Sequence, residues 1–167
     1  MSILAEPTIG QSYRINLSDV DGNAFSTADG RTTTVVLTSK ANVDKARLVG
    51  DRIPDFCLAN PLYRMATVVV FETKHSRPVR ALMTSMIRRR LDAEAKRLQV
   101  RYDQLKIAQN ARPNVSAVAD FDGAIAAQLG SKPDAALFHV FVFGKNGELL
   151  KQWSDVPSAE ELGAALK

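Results

Sequence analysis

The stretch Val115–Trp153, VSAVADFDGAIAAQLGSKPDAALFHVFVFGKNGELLKQW, carries three local patterns in unbroken succession. Val115–Ala119 is a short apolar run that ends on Asp120-Phe121-Asp122-Gly123, the pattern of a strand closing in a turn. Ala124, Ile125, Ala127, Gln128 and Leu129 predict a short helix, closed by Gly130, which can take the left-handed conformation favoured past a helix C-terminus. After a loop holding Pro133, the large apolar side chains of Leu137–Phe143 predict a strand. Lys145-Asn146-Gly147 supplies a hairpin turn, and Glu148–Trp153 returns as the second, antiparallel strand.

Strand, "D-x-D-G", short helix ending in Gly, loop, apolar strand, "K-N-G", strand and closing helix: in this order the stretch resembles the second half of the thioredoxin-like fold. It looks most like the peroxiredoxin (thiol-specific antioxidant) and membrane-anchored thioredoxin branches. The resemblance implies an α/β, three-layer sandwich: a central mixed sheet with helices on both faces.

The chain upstream extends the pattern. Gln11–Leu17 predicts a strand with Tyr13, Ile15 and Leu17 on one face, Asp19-Val20-Asp21-Gly22 its turn, and Asn23–Ser26 a returning partner. Thr32–Ser39, TTTVVLTS, is β-branched enough for a buried central strand. Asn42–Asp51 predicts a short helix with Asn42 as N-cap. The prolines Pro54 and Pro61 make PDFCLANP an irregular connection, and Ala66–Glu72 predicts a strand buried on both faces. From Ser76, an N-cap followed by Pro78 in the first turn, no glycine or proline intervenes until after Asn110. An apolar stripe from Val79 through Leu91, Leu98 and Leu105 predicts one unusually long helix over 77–110, which must overhang the sheet, bend or end early. Ser158-Ala159-Glu160-Glu161 is a capping box for a closing helix.

With 167 residues, 46% of them hydrophobic and 24% charged, the chain fits one domain over 1–167. An N-terminal hairpin extension occupies about 11–31 and the core 32–166. No run is long and apolar enough to span a membrane. Met1–Gln11 lacks the basic start and apolar middle of a signal peptide, which fits a cytoplasmic chain or one whose leader has been removed for a periplasmic or secreted life.

There is one cysteine, Cys57, so neither an intrachain disulfide nor any two-cysteine arrangement can form. In redox-active members of the resembling families the reactive cysteine sits just after the first core strand, at a helix N-terminus that lowers its pKa. Here that segment reads Ser39-Lys40-Ala41-Asn42, without the CxxC or the peroxidatic cysteine. The cis-proline that faces it in those families should fall near Leu137-Phe138-His139, and none of these is proline. Ser39, Lys40, Ala41, Asn42, Phe138 and His139 therefore mark a vestigial active-site region. Cys57 is the remaining catalytic candidate, set against the commoner state of a lone cysteine as a small buried hydrophobe. Thr38, Ser39 and Lys40 could form a nucleophile–base set or an anion site at a helix start, against the simpler reading as cap residues. Asp120 with Asp122, and Asp19 with Asp21, read as turn residues rather than paired acids. His75 and His139 lie far apart, so no metal and no cofactor is expected.

The unusual charge feature is the long helix. Between Arg77 and Lys106 nine cations face three acids, whereas the whole chain carries only +4. Arg88, Arg89, Arg90, Arg97 and Arg101 form a candidate interaction surface for an acidic partner, an anionic membrane surface or nucleic acid, set against a solvated helix face. Tyr102 is the aromatic residue nearby, which argues against nucleic acid. An overhanging Leu91–Leu98–Leu105 stripe would be covered by self-association, so a homodimer or an unknown protein partner is expected. Together these features predict a redox-inactive thioredoxin-like binding or scaffold protein. The alternative is a one-cysteine thiol peroxidase or thiol-disulfide oxidoreductase using Cys57.

Overall fold

Asp19 organises the first reversal of the chain. Its Oδ1 accepts hydrogen bonds from the backbone N–H groups of Asp21 (2.9 Å) and Asn23 (2.8 Å), so β1 (Asn16–Ser18) turns back on β2 (Ala24–Ser26) as an antiparallel pair. These and all later positions come from a computed structural model that describes residues 5–167. The first four residues of the Met1–Gln11 stretch read for a leader lie outside it. The strand expected from Gln11 is shorter than predicted. Before Asn16 the chain instead crosses to the far hairpin, through a Ser12–Glu148 bridge and a Tyr13 N–H to Gly147 carbonyl bond of 2.8 Å. Ile15 and Leu17 are buried as expected.

The remaining elements are β3 (Thr32–Ser39), α1 (Val43–Asp51), β4 (Tyr63–Val70), α2 (Arg77–Gln104), β5 (Ala117–Asp120), α3 (Ala124–Gln128), β6 (Phe138–Phe143), β7 (Leu149–Trp153) and α4 (Ala159–Leu166). Five strands form one mixed sheet in the order β5-β4-β3-β6-β7. The pairs β3–β4 and β4–β5 are parallel, while β3–β6 and β6–β7 are antiparallel. β3 is the central strand, buried from Thr33 to Ser39. β4 begins at Tyr63 rather than the expected Ala66 and ends at Val70 rather than Glu72. Pairing with β3, Thr32 to Tyr63 through Ser39 to Val70, recruits the mixed segment Tyr63–Met65 that its own composition does not mark as strand.

Alternation along the strands divides the core. Val35, Leu37, Val68, Val70, Phe141 and Phe143 pack on one face with α3 and with Ile15 and Leu17. Val36, Val140 and Val142 pack on the other, under Ala46 and Val49 of α1 and Leu162 and Leu166 of α4. Both parallel crossovers advance in the same direction along the sheet, so right-handed connection places α2 on the same face as α1. The packing agrees: Leu91 of α2 meets Ala117 of β5 and Val20. Helices thus cover both faces, three on one side and the short α3 with the N-terminal segment on the other. Ser158 and Glu161 make the expected capping box on α4.

The long helix stops at Gln104, not near Asn110. Its 28 residues run about 42 Å. Lys106 N–H bonds to the Asp103 carbonyl (3.1 Å) and Ile107 N–H to that of Tyr102 (2.9 Å), the paired bonds of a Schellman ending. Lys106 takes φ +58° to make them, a position usually held by glycine, so no sequence signal marked the stop. α3 ends by the same motif with Gly130 at φ +71°. The Leu91–Leu98–Leu105 stripe consequently does not overhang. Leu91 is buried, Leu98 half-buried and only Leu105 exposed, whereas Val79, Leu82, Met86 and Val100 face outward.

The two left-handed positions predict opposite responses in urea denaturation. Lys106→Gly relieves the left-handed strain of a residue with a Cβ and is expected to stabilise by roughly 1 kcal/mol, after allowing for the added freedom of the unfolded chain. Gly130→Ala is expected to destabilise by more than that, because its Cβ would also meet the backbone carbonyl of Ala5. A lower urea midpoint for Lys106→Gly than for the parent would contradict this account of the helix end.

Candidate functional site

The C-terminal end of β3 meets the loop before β6 through a closed seam. Ser39 N–H donates to the Leu137 carbonyl (2.9 Å), Ser39 Oγ donates to the Ala135 carbonyl (2.8 Å) and Asn42 Nδ2 to the Leu137 carbonyl (3.3 Å). Thr38 Oγ1 donates to the Ser39 carbonyl at 2.9 Å. The fold therefore brings Ser39 and Asn42 against the segment before Phe138. Both hydroxyls are committed as donors to backbone carbonyls. Asn42 occupies the N-cap position of α1 but makes no side-chain cap bond; its amide reaches across the seam instead. Lys40 and Ala41 are exposed in a 3-10 turn leading into α1. No cis peptide occurs among the described residues.

Phe138 and His139 do not form one site. Phe138 pairs with Thr38 and packs toward α1 and α4, whereas His139 pairs with Leu37 and points to the α3 face. His139 is half-buried, and that burial holds its pKa below the ordinary histidine value, opposed weakly by Glu6. His75, beside the stacked rings of Phe71 and Phe121, is elsewhere again. Among the described residues no three His, Cys, Asp or Glu side chains gather as metal ligands. Asp120 is buried, and its Oδ2 accepts from Ala126 N–H (2.9 Å) in the first turn of α3, while Asp122 pairs with Arg80 (3.0 Å).

Cys57 lies at the other end of the sheet. The parallel register puts Ser39 beside the last residue of β4, and Cys57 sits in a 3-10 turn just before the first. It is buried with Ile53, Leu162 and Leu166. Burial pushes its thiol up to about 11, against the pull of Arg101, so near neutral pH it is a protonated thiol rather than the nucleophilic thiolate.

The basic helix is strapped to α1. Arg90 pairs with Asp44 (2.7 Å), Arg97 with Asp51 (2.9 Å), Arg101 with Asp55 (2.7 Å) and Arg47 with Glu94 (2.8 Å). Asp44, Asp51 and Asp55 repeat the spacing of Arg90, Arg97 and Arg101, so two parallel neighbouring segments meet rung by rung. Arg101 also donates to the Ile53 carbonyl (2.6 Å). Arg88 donates to the Val20 carbonyl (2.7 Å). Four of the five arginines read as an interaction surface thus have partners within the chain, and Arg89 is exposed. The residue signal for this ladder was present as matching spacings in α2 and in α1 with the 3-10 turn that follows it, where Asp55 lies, but they are far apart in sequence.

Beneath the ladder an elongated cavity of about 990 Å³ separates α2 from the sheet. Only Leu91, Ala95 and Tyr102 of α2 are buried. Met65, Thr67 and Val69 form the floor, Ile87, Leu91 and Leu98 the roof, and Cys57 is part of the wall. β5 pairs with β4 only from Thr67 onward, which leaves the outer edge of Tyr63–Ala66 without a strand. Arg31 occupies that gap, donating from Nη2 to the Tyr63 carbonyl at 3.0 Å. Nothing in the sequence reading singled out Arg31 or the cavity.

No protein-family model and no curated protein matches the sequence. Solved structures do. The pneumococcal exposed lipoprotein thioredoxin Etrx1 of Streptococcus pneumoniae is 15% identical, with a TM-score of 0.55 over 92% of this chain and 98% of that one. StoA of Bacillus subtilis is 12% identical, with a TM-score of 0.53 over 95% and 99%. A DsbE-type thiol:disulfide interchange protein from Chlorobium tepidum is 12% identical, with a TM-score of 0.55 over 98% and 100%. The likeness extends over nearly the whole of each chain, and the fold is thioredoxin-like.

The half-buried His139 predicts a pH dependence. Its folded pKa lies below the unfolded value of about 6.5, so the unfolded chain binds more protons; this stability is full above that value and is lost as pH falls from it toward the folded pKa. In denaturation at pH ~7.5 and ~5.5, His139→Gln is expected to lose less stability on acidification than the parent. An equal loss in both would show that the imidazole is as free to protonate in the fold as out of it.

Proposed function

We propose that this chain is a thioredoxin-fold binding protein that performs no thiol exchange at the position the fold commonly uses for it. The observation that carries the reading is the seam at Ser39–Asn42. Where a redox centre would need a nucleophilic sulfur and an open approach, two side chains and one amide bond directly to the Ala135 and Leu137 carbonyls. Disulfide exchange within one chain also requires two thiols, and this chain has one. Cys57 lies at the opposite end of the sheet, without a helix N-terminus to stabilise a thiolate. Self-association through α2 belongs to the same reading, with outward-facing Val79, Leu82 and Met86 as the apolar surface.

A second reading keeps thiol chemistry at Cys57 with an external thiol as resolving partner. Arg101 lowers the thiol pKa in part, Cys57 lines the cavity, and two of the similar proteins are named as a thioredoxin and a thiol:disulfide interchange protein.

Native alkylation of Cys57 across pH separates the two. The binding-protein reading expects slow modification below about pH 9, well under the thiol's raised pKa, and a fast reaction only in denaturant. It also expects no insulin reduction and no peroxide consumption, with Cys57→Ser changing stability only slightly. Fast native alkylation with a midpoint below the unperturbed ~8.5 would instead establish Cys57 as the reactive centre. Sedimentation equilibrium of the same sample is expected to show a dimer that Leu82→Glu returns to monomer; a monomeric parent at high concentration removes the self-association component.

A further inference from the structure

We propose that the cavity between α1, α2 and β4 binds a long-chain monocarboxylate, its tail along β4 and its head at Arg31. The shape of the space comes first. Its walls follow β4 from Tyr63 to Phe71, about 26 Å at the usual rise per residue. It is therefore a slot between two parallel helices and a strand, suited to an extended chain more than to a compact ring system. The floor and roof are Met65, Val69, Ile87, Leu91 and Leu98, all apolar, with the Thr67 hydroxyl the one polar group among the floor residues named above. At 990 Å³ it lies at the upper end of sizes typical for small-molecule sites.

The chemistry of one end selects the head group. Arg31 Nε is buried and has no hydrogen-bond partner, alone in this among buried side-chain nitrogens and oxygens of the described residues. Nε has no surface open to the cavity as the side chain stands, so a turn of the guanidinium brings it to a ligand oxygen, which then recovers the free energy an unpaired buried donor costs. The charges acting on Arg31 are Arg64, which repels it, and Asp29, which attracts it. Asp29 is itself held by Arg64 at 2.7 Å, so two guanidiniums share one carboxylate. Asp19 also lines this end, but Asp21 N–H, Asn23 N–H and the Ser116 hydroxyl occupy its oxygens. A carboxylate accepting from Arg31 Nε satisfies both the orphaned donor and the uncompensated charge. At the ladder side, Arg90, Arg97 and Arg101 are already paired with Asp44, Asp51 and Asp55, so they do not compete for the head group.

The proposal deepens the binding-protein reading and rests on it. The purified full chain, stripped of bound lipid, would be titrated with palmitate, palmitate methyl ester and octanoate by isothermal calorimetry. Palmitate is expected to bind at one site per chain, octanoate at least ten-fold more weakly, and the methyl ester several-fold more weakly than palmitate. Arg31→Gln should abolish the preference for palmitate over its ester. Leu98→Trp, which fills the roof without removing a packed side chain, should weaken both and leave the urea midpoint unchanged or raised. The proposal is overturned if palmitate does not bind the parent, if the ester binds it as tightly, or if Leu98→Trp folds normally and binds palmitate unchanged. Failure here leaves the slow alkylation of Cys57 as expected, whereas a reactive Cys57 would sink the binding-protein reading with palmitate affinity untouched.

Discussion

The ladder of ion pairs between α1 and α2 sets the geometry on which the rest of this face depends. A long helix that buried a continuous apolar stripe would collapse onto β4 and leave no space. Here α2 buries only Leu91, Ala95 and Tyr102, and its lateral position is fixed by arginine–carboxylate contacts at the outer edge. Half-exposed pairs of this kind each contribute little to stability, in the range of about 0.2–1 kcal/mol. Their effect is directional: matched spacing on two parallel segments specifies one alignment and holds the roof over the slot.

The sheet separates the chain's chemistry into two ends. At the C-terminal end of β3, polar side chains are consumed in tying the strand to the loop before β6. At the N-terminal end of β4 the opposite holds, with a missing stretch of partner strand, an unsatisfied guanidinium nitrogen and the only thiol, the residues of the last two lining the same cavity. Polar groups that satisfy each other make structure; polar groups left over in an apolar setting invite a ligand. By that criterion the polar groups at the Ser39 end are spent on one another, and the unpaired one lies at the Arg31 end.

Much of the fold was legible because it is written locally. The β-branched run Thr32–Ser39, the D-x-D-G turns, the K-N-G hairpin and the Ser158–Glu161 box each announce one conformation within a few residues, and each was found where expected. What could not be read depends on partners distant in sequence. Tyr63–Met65 is strand because β3 lies alongside it, and α2 ends where a lysine takes a glycine's conformation. The same limit applies to the site. The absence of cysteine after β3 was visible at once, but Arg31 looks like any loop arginine until β5 is seen to start too late to cover Tyr63.

The central position of β3 also constrains how the chain is made. Its two neighbours are β4, which follows soon after, and β6, whose Phe143 pairs with Thr33 near the far end of the sequence. A chain emerging from the ribosome N-terminus first therefore carries β3 with one edge open until the last quarter has been synthesised. That edge is a β-branched, uncharged segment, the composition most prone to pair with the wrong strand. Chaperone demand during synthesis should accordingly peak after α2 has emerged and end with the β6–β7 hairpin, so that truncations before Phe138 aggregate rather than persist as soluble intermediates.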